Sequence, residues 1–493
     1  MFLQWFWGSS LYCSGSFYFD LIYRSHLLVD RSFINMLTLL IILLPIIAGI
    51  LTLISGERMA KQIALAGALA VFAVAVYIWL QFDPSSGTQF SFRYNWLSNG
   101  SILFAGGIDG ISLLLVLLTT FLTPLIILSA FSHTYKQNHV FYALILFMES
   151  ALLGVFTATD AFLFYLFFEA ALIPIYFLAA VWGGDHRLKV TIKFFIYTIF
   201  GSLFMLVALI YLYYQTPGQH SSEITALYGL DLSAKSQGFV FWAFFIAFAI
   251  KMPLFPFHTW QPDTYTESPT PATMLLSGIM LKMGVYGLIR LLLPITPEGL
   301  STWGIYAIIL SVIGIIYGSI IAIQQSDMKR LIAYSSFAHV GLMAAGVFSL
   351  SANGLQGAMI QMLAHGINVV GLFFVIDIIY ARTKTRYLEQ LGGISQAAPH
   401  LSVYFMVLLL GSVALPLTNG FIGEFLLLSS VFQFNGWIGA VAGITIILGS
   451  VYMLRLFQKA MFGPKSKWVE GFQDLTLNER AVLLPLVVMV FWI

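Results

Sequence analysis

The sequence predicts an all-α polytopic membrane protein with about fourteen transmembrane helices, including two inverted five-helix repeats and two discontinuous helices. Three observations lead to this fold class. Of 493 residues, 59% are hydrophobic and 9% are charged, whereas about 25% of the residues in an ordinary soluble domain are charged. Apolar runs long enough to span a bilayer recur along the chain, and lysines and arginines gather in alternate loops.

Composition also excludes several kinds of function. The formal net charge is only +2, so there is no basic field that would attract nucleic acid. Cys13 is the only cysteine, which excludes a disulfide, a cysteine-ligated iron–sulfur cluster and a thiolate zinc site formed by this chain alone. The chain also lacks the glycine-rich patterns GxGxxG and GxxxxGK[ST] that hold phosphates. We therefore expect no redox centre in this chain.

Residues 1–35 differ from the rest of the chain, because they are rich in aromatic residues and are interrupted by Gly8, Gly15 and several serines. They do not have the basic start and apolar core of a secretory signal. Met36 begins the first long apolar run, so we expect residues 1–35 to be a start-site artefact or a loose N-terminal extension. The transmembrane domain is then expected to occupy residues 36–493.

The predicted spans are bounded by glycine, proline and charged residues. A helix needs about 20 apolar residues to cross a bilayer core. The segment from Arg480 to Ile493 is shorter than that, so we expect the chain to stop inside its final helix. The fourteen predicted spans lie near residues 37–54, 62–82, 109–131, 139–158, 160–182, 191–214, 238–257, 272–293, 302–324, 330–350, 354–380, 400–430 and 435–460, and from 480 onward.

The basic residues test this count, because loops on the cytoplasmic side of a membrane hold most lysines and arginines. If the first span starts on the outer side, only Arg93 and Lys235 fall in outer loops. A miscounted span would mix the two sets downstream of it, so the clean separation supports both the count and this orientation. The inner loops would hold Arg58, Lys61, Lys136, Arg187, Lys189, Lys329, Arg330, Arg382, Lys384, Arg386, Lys459, Lys465, Lys467 and Arg480.

Ionisable residues inside the predicted spans are the candidate functional residues. A charged side chain at the bilayer centre costs about 2.5–3.5 kcal/mol even on insertion scales, so several in one chain predict a polar interior path. Residues near helix ends can instead reach the membrane surface, and a single buried acid or histidine can simply join two helices by hydrogen bonding. The first alternative applies to Lys193, Arg290, Asp377 and Arg455, the second to Glu149, His339 and His365, and the remaining candidates are Glu169, Lys251, Lys282 and Glu424.

Two spans are predicted to be broken, each beside a buried charge. Lys251 follows a long apolar run and is followed at once by Pro253 and Pro256, which remove backbone donors and interrupt a helix. The segment 415–420, LPLTNG, interrupts the twelfth span in the same way, and Glu424 follows one turn later. Broken helices mark ion sites in transporters. Their five-span separation predicts two related units, at about 139–293 and 302–460.

Seven motifs carry a resemblance to a known family. They are FEAALIPIYFLAAVWGG with Glu169, KFFIYT with Lys193, FFIAFAIKMPLFPFHTWQPD with Lys251, His258 and Asp263, ESPTPATMLLSGIMLKMGVYGLIR with Lys282, SDMKRLIAYSSFAHVG with Lys329 and His339, IQMLAHG with His365, and GFIGEF with Glu424. From about Met36 to its end, the chain resembles the antiporter-like subunits of proton-translocating NADH-quinone oxidoreductase (respiratory complex I), of the subunit M or chain 4 type. The acid at Glu424 favours this type, because sister subunits carry lysine there.

The resemblance implies a role for each residue. Glu169 would pair with Lys251 and change its proton affinity, because burial disfavours a charged lysine and a nearby carboxylate favours it. Lys282, His339 and His365 would continue the polar axis, Glu424 would pass protons outward, and Glu149 is a weaker candidate for the same task. NAD, FMN, iron–sulfur clusters and quinone would reside in partner subunits of the membrane-bound complex, located in the bacterial inner membrane.

Other functions remain open at this point. A subunit of a sodium/proton antiporter would share the broken helices and the buried lysine. A membrane scaffold that only anchors an enzyme would tolerate neutralisation of the buried charges. His258 and Asp263 could be taken for metal ligands, but two candidates without a third do not make a metal site, so we interpret them as helix-end and access-path groups.

Overall fold

The computed structural model describes residues 36–97 and 100–493. The prediction for residues 1–35 lies outside the described residues. The first half of the chain forms α1 (Leu37–Ile54), α2 (Gly56–Gln81), β1 (Gln89–Leu97), β2 (Ile102–Ile108), α3 (Gly110–Ser129), α4 (Asn138–Thr157), α5 (Ala161–Ala170), α6 (Leu172–Trp182), α7 (Arg187–Gln215), α8 (Ile224–Tyr228), α9 (Ala234–Lys251), α10 (Gln261–Glu267), α11 (Thr270–Leu275), α12 (Lys282–Gly287) and α13 (Leu293–Ile295).

The second half is also helical. It forms α14 (Pro297–Gln324), α15 (Met328–Phe348), α16 (Ala352–Thr383), α17 (Ile394–Ala397), α18 (Pro399–Ser412), α19 (Asn419–Phe434), α20 (Gly436–Met461) and α21 (Leu477–Trp492). Short 3-10 segments lie at Ala130–Ser132, Leu388–Gln390 and Lys467–Val469.

Eleven helical segments in the described residues are long and apolar enough to cross a membrane. α9 and the pair α18 and α19 make two further crossings, and the 16-residue α21 is a fourteenth, shorter apolar helix, so the prediction of about fourteen transmembrane helices is confirmed. Helix ends agree with the predicted spans to within about five residues in most cases, and boundaries read from a sequence are commonly uncertain by about two to four residues.

The protein has two loop-bearing faces. The face that carries β1 and β2 is called the hairpin face. The opposite face, which carries Arg58, Lys61, Arg187 and Lys329 in the first turns of α2, α7 and α15, is called the basic face. β1 and β2 pair antiparallel, with Phe92 opposite Gly106. The helical span pattern did not predict this hairpin, which is the one sheet among the described residues.

Both predicted helix breaks are present. α9 ends at Lys251, and regular helix resumes only at Gln261 after a stretch that contains Pro253 and Pro256. α18 ends at Ser412 and α19 starts at Asn419. The stretch after α9 is mostly buried, whereas Leu415 and Leu417 of the second break are exposed and the buried Asn419 follows them. A break of this kind leaves backbone groups without helical partners near a buried side chain.

The central helices are those that carry the buried ionisable groups. In the membrane-crossing stretches of α15, of α16 and of the segment Thr270–Ile295, 94%, 89% and 89% of the residues are buried. In that of α2, 28% are buried. The segment Thr270–Ile295 contains two π-helical stretches, Leu276–Met280 and Leu288–Leu292, on either side of α12. Such stretches interrupt regular α-helices, often at functional sites, and here they flank Lys282.

Packing of α12 against α9 requires a residue without a side chain. A Cβ atom on Gly287 would lie 2.3 Å from the ring of Phe248, and a Cβ on Gly284 would lie 2.6 Å from the Cβ of Met252. These glycines let the two helices that carry Lys251 and Lys282 approach closely.

We expect Gly287→Ala to destabilise the protein by about 1–3 kcal/mol, because the added methyl group would overlap the Phe248 ring. The measurement is the apparent Tm of the purified protein in detergent. Gly304→Ala in α14 is the matched control, since its Cβ would have no neighbour within 4 Å. Equal Tm values for the two variants would contradict this account of the packing.

Candidate functional site

Lys282 and His365 form the centre of the candidate site. Lys282 lies at the start of α12 and is fully buried. Its Nζ donates a hydrogen bond to the carbonyl oxygen of Ser277 at 2.7 Å and lies 2.9 Å from Nδ1 of His365 on α16. An ammonium or amine at this position therefore shares a proton-transfer contact with an imidazole, the side chain best suited to relay protons near neutral pH.

A file of ionisable side chains, which begins with Lys282 and His365, continues from His365 to Glu424. The rings of His365 and His339 lie 5.8 Å apart, and Nδ1 of His339 lies 3.0 Å from Oε1 of Glu424 on α19. Gln361 donates a second hydrogen bond to the same carboxyl oxygen at 3.3 Å. Three helices thus bring residues that are distant in sequence into one line of ionisable groups.

Water can complete this line between the two histidines. Nε2 of His365 has no protein partner, and a cavity of about 10 Å³ lined by His339, His365 and Ser336 lies beside it. That volume has room for roughly one water molecule. A polar cavity with unpaired groups is the kind that holds water, so a proton can pass between imidazoles that do not touch.

Lys251 lies apart from this line but within electrostatic range of Glu169. Its Nζ is buried and has no hydrogen-bond partner, and neither does Oε1 of Glu169. The two side chains interact electrostatically without forming a direct ion pair. The ammonium instead lies 4.4 Å from the ring centre of Phe168, and a cation over an aromatic face is favourable. The expected pairing of Glu169 with Lys251 is thus an interaction at longer range.

A polar file joins Lys282 to the basic face. A cavity of about 410 Å³ opens there and is lined by Lys329, Ser268 and Asp377, among other residues. Lys329 Nζ donates to the Ser268 carbonyl oxygen at 2.6 Å. Thr273 is the next residue of this polar file, and its carbonyl oxygen accepts a hydrogen bond from the Ser277 hydroxyl at 2.7 Å. Because Lys282 bonds to Ser277, polar groups lead from the cavity to the centre of the site without an apolar gap.

His133 and Asp377 close one side of that cavity. His133 Nε2 lies 2.6 Å from Oδ2 of Asp377, and Thr270 donates to the other oxygen at 2.6 Å. The hydrogen bond with Asp377 raises the pKa of His133 above its usual value, against the effect of burial. His133 and Thr270 therefore hold the Asp377 carboxylate near the end of α16.

Glu149 does not join the main file. Glu149 lies on α4 and is fully buried, and neither of its carboxyl oxygens has a hydrogen-bond partner. The Thr123 hydroxyl on α3 lies beside it outside ordinary hydrogen-bonding geometry. In the part of the chain that the structure describes, no hydrogen bond joins Glu149 to the six other predicted site residues.

The remaining sequence candidates make local contacts. Lys193 and Arg330 both bind the carboxylate of Asp263, each at 3.0 Å. The His258 ring stacks on Phe337 with a centroid distance of 4.4 Å. Among the described residues, no group of three or more His, Cys, Asp or Glu side chains is arranged to hold a metal ion.

Sequence analysis did not identify three polar residues as members of the site: Gln361, Asn368 and Asn419. Gln361 lies one helical turn before His365, so its spacing places both on the same face of α16. Asn368, further along α16, donates to the amide oxygen of Asn419 at 3.0 Å and so ties that helix to the first turn of α19. Their helical spacing from His365 and Glu424 was the available signal.

The fold and the site define a class of protein: a polytopic membrane protein of the transporter type, with two broken helices and a buried series of lysine, histidine and glutamate side chains. Comparison with known proteins agrees. The sequence profile described as "NADH:quinone oxidoreductase/Mrp antiporter, TM" matches residues 158–449, more than half of the chain. The chain belongs to this family.

Relatives of known name are similar over nearly the whole chain. NADH-quinone oxidoreductase subunit M of Rickettsia typhi is 41% identical over 435 residues, which cover 87% of each chain. NADH-ubiquinone oxidoreductase chain 4 of Marchantia polymorpha is 37% identical over 458 residues, which cover 92% of each chain. The predicted resemblance is therefore confirmed.

Solved structures share the fold. A chain of respiratory complex I from Thermus thermophilus matches with a TM-score of 0.86 and 32% identity, covering 92% of this chain and 94% of that one. A chain of the Mrp complex from Dietzia matches with a TM-score of 0.80 and 21% identity, covering 93% and 94%. The second likeness concerns the fold alone.

We expect Glu424→Ala to lower the apparent Tm, because it leaves His339 and Gln361 buried without their acceptor. An unpaired buried polar group costs about 1–3 kcal/mol. Thermal unfolding of the purified protein in detergent measures the effect. Glu424→Gln is the control, since its amide oxygen can still accept a hydrogen bond; an equal loss in both variants would mean that this hydrogen-bond network does not stabilise the protein.

Proposed function

We propose that this chain is the proton-translocating membrane subunit of a bacterial NADH-quinone oxidoreductase. It moves protons through buried Lys, Glu and His side chains in response to redox chemistry in other subunits. The observation that carries the proposal is the contact series Lys282, His365, His339 and Glu424, in which neighbouring groups lie 2.9 Å, 5.8 Å between rings and 3.0 Å apart.

Lys251 and Glu169 supply the switch in this proposal. The lysine ammonium has no hydrogen-bond partner, so its protonation depends strongly on how close the Glu169 carboxylate lies. A change of one pKa unit corresponds to about 1.4 kcal/mol, so a small movement of α5 relative to α9 is enough to load or release a proton. Lys251 and Glu169 form no direct ion pair in this structure, which supports a state in which the carboxylate stabilises the lysine ammonium only weakly.

Protons reach the file from the basic face. The cavity of about 410 Å³ and the hydrogen-bonded groups from Lys329 to Ser277 supply the route to Lys282. Glu424, at the far end of the file, is the group that passes protons outward. Glu149 is a secondary carrier in this proposal, supported by its buried and unpaired carboxyl group.

The orientation follows from the loop charges. Lysines and arginines concentrate on the basic face, so that face is cytoplasmic and the first crossing starts on the outer side of the bacterial inner membrane. The transmembrane domain is taken to be residues 36–493, with repeats at about 139–293 and 302–460, and the broken helices α9 and α19 at equivalent places support this division.

Partner subunits complete the enzyme. The chain would pack among other membrane-arm subunits and lipid, while NAD, FMN, iron–sulfur clusters and quinone are bound elsewhere in the complex. Many apolar side chains on the exterior support such contacts, for example Phe425 and Phe432, which are each 60% exposed.

We expect Lys251→Ala to reduce both NADH-driven quinone reduction and proton uptake into inside-out vesicles by about tenfold or more, because a proton-carrying group is lost. The two rates are recorded together on membranes in which the complex is still assembled. Lys189→Ala is the matched control, since Lys189 is an exposed lysine on the basic face. Wild-type rates in Lys251→Ala would refute the proposed path.

A sodium/proton antiporter subunit is the second candidate, favoured by the Mrp likeness in fold. We expect NADH-driven acidification to be unchanged when sodium is replaced by potassium in the vesicle buffer, because the file consists of groups that bind protons. Loss of acidification without sodium would favour the antiporter.

A further inference from the structure

The Lys251 ammonium lies beside a set of aromatic rings on its hairpin-face side. Phe168 is the ring beneath the ammonium. The centroid of Phe164, one turn nearer the start of α5, lies 5.8 Å from that of Phe168. Phe248 on α9 lies 6.3 Å from Phe168, and all three rings are buried. These apolar rings lead from Lys251 to the next residue of the series toward the hairpin face.

That next residue is Tyr286, the innermost member of a polar cluster. Its ring centroid lies 6.3 Å from that of Phe164. Its hydroxyl donates to the carbonyl oxygen of Phe156 at 2.9 Å, next to the hairpin-face end of α4. Arg290 donates from Nε to the same hydroxyl at 3.1 Å. Tyr286 therefore has an apolar side against the rings and a polar end directed at the surface.

Arg290 and Asp109 connect Tyr286 with the surface. They form an ion pair at 2.6 Å, and the Ser112 hydroxyl lies 3.4 Å from that of Tyr286. A cavity of about 60 Å³ lined by Asp109, Ser112, Tyr286 and Arg290 lies at the hairpin face. This volume has room for a few water molecules, so the cluster is a hydrated recess that ends at the aromatic stack.

The cluster has charges suited to proton release. Burial opposes ionisation of Asp109, but Arg290 and the Ser112 backbone outweigh it and hold the pKa of Asp109 below its usual range. A carboxylate of this kind keeps a proton only briefly. A buried structural ion pair alone would not need the unpaired lysine, the aromatic stack and the cavity in one line.

We propose that the Asp109–Arg290–Tyr286 recess is a gated proton outlet for Lys251 and that the rings of Phe164 and Phe168 are its gate. The outlet rests on the proposed function and adds a second release site to the one at Glu424. Hydrophobic constrictions of this kind close by excluding water. When the rings part, water enters between Lys251 and Tyr286.

The proton transfer is balanced at each step. The Lys251 ammonium gives a proton to water and becomes a neutral amine. The Tyr286 hydroxyl turns away from the Phe156 carbonyl oxygen, accepts the proton from that water on its oxygen and gives its own proton to the water in the recess. Asp109 takes up the proton and releases it to the hairpin face. No electron transfer or bond to carbon is involved, and the Arg290 cation repels protons from returning through the closed gate.

The test uses the assembled oxidoreductase in liposomes that contain a pH dye, without NADH. A potassium diffusion potential drives protons, and the passive proton flux is measured. We expect Phe168→Ala to raise this flux about tenfold, which corresponds to a barrier lower by about 1.4 kcal/mol. The control is Phe177→Ala, at a ring that is 47% exposed on the exterior of the protein, and this variant should give the wild-type flux.

A second change tests the recess itself. Adding Tyr286→Phe or Asp109→Asn to Phe168→Ala should return the flux to within about twofold of the wild type, since the polar step after the gate is lost. A flux that stays high would mean that protons leave by another route, and a wild-type flux in Phe168→Ala would mean that the rings are not a gate. If Phe168→Ala does not assemble, Phe164→Val replaces it, with the same two outcomes.

This result is separate from that of Lys251→Ala with NADH. If Lys251→Ala abolishes coupled turnover while Phe168→Ala does not leak, the proposed function holds and the outlet is wrong. If Lys251→Ala turns over and pumps as the wild type does, the proposed function fails whatever the passive flux.

Discussion

The cost of an unpaired charge away from water governs this structure. Lys282 is fully buried, yet its nitrogen contacts the Ser277 carbonyl oxygen and the His365 ring. Ser277 lies in the π-helical stretch Leu276–Met280, where the regular α-helical pattern is interrupted. Because a buried cation needs such partners, the helices that supply them occupy the centre of the protein, and the apolar helices such as α2 surround them.

The same constraint explains why two helices are broken. A continuous helix satisfies its own backbone and leaves nothing for a buried ion. By ending at Lys251 and resuming at Gln261, the chain exposes backbone groups at depth. The second break brings Asn419 against Asn368 and positions Glu424 beside His339. At each break, proline and glycine determine where the helix can stop. The position of the stop then determines which side chains pack beside the buried charge.

Much of the fold could be predicted because membrane crossings leave a strong local signal. Apolar run length and loop charge located the crossings, and Pro253 and Pro256 located a break. The hairpin was missed because the search followed helix-length runs, although Phe90, Phe92, Tyr94 and Trp96 alternate along β1. Charge within predicted spans selected the candidate site residues from the sequence, but it could not give the contacts between them. Whether Glu169 touches Lys251, or Glu149 touches anything, depends on helix rotations of a few degrees, which hydropathy does not determine.

In the proposed path, every proton from the basic face passes through the contact of Lys282 with His365 to reach Glu424. The most direct measurement is the number of protons moved per NADH oxidised by the assembled complex in liposomes when His365 is replaced by leucine. The account predicts that His365→Leu lowers this ratio, or stops turnover, while the complex stays intact. An unchanged ratio at an unchanged rate of NADH oxidation would contradict it.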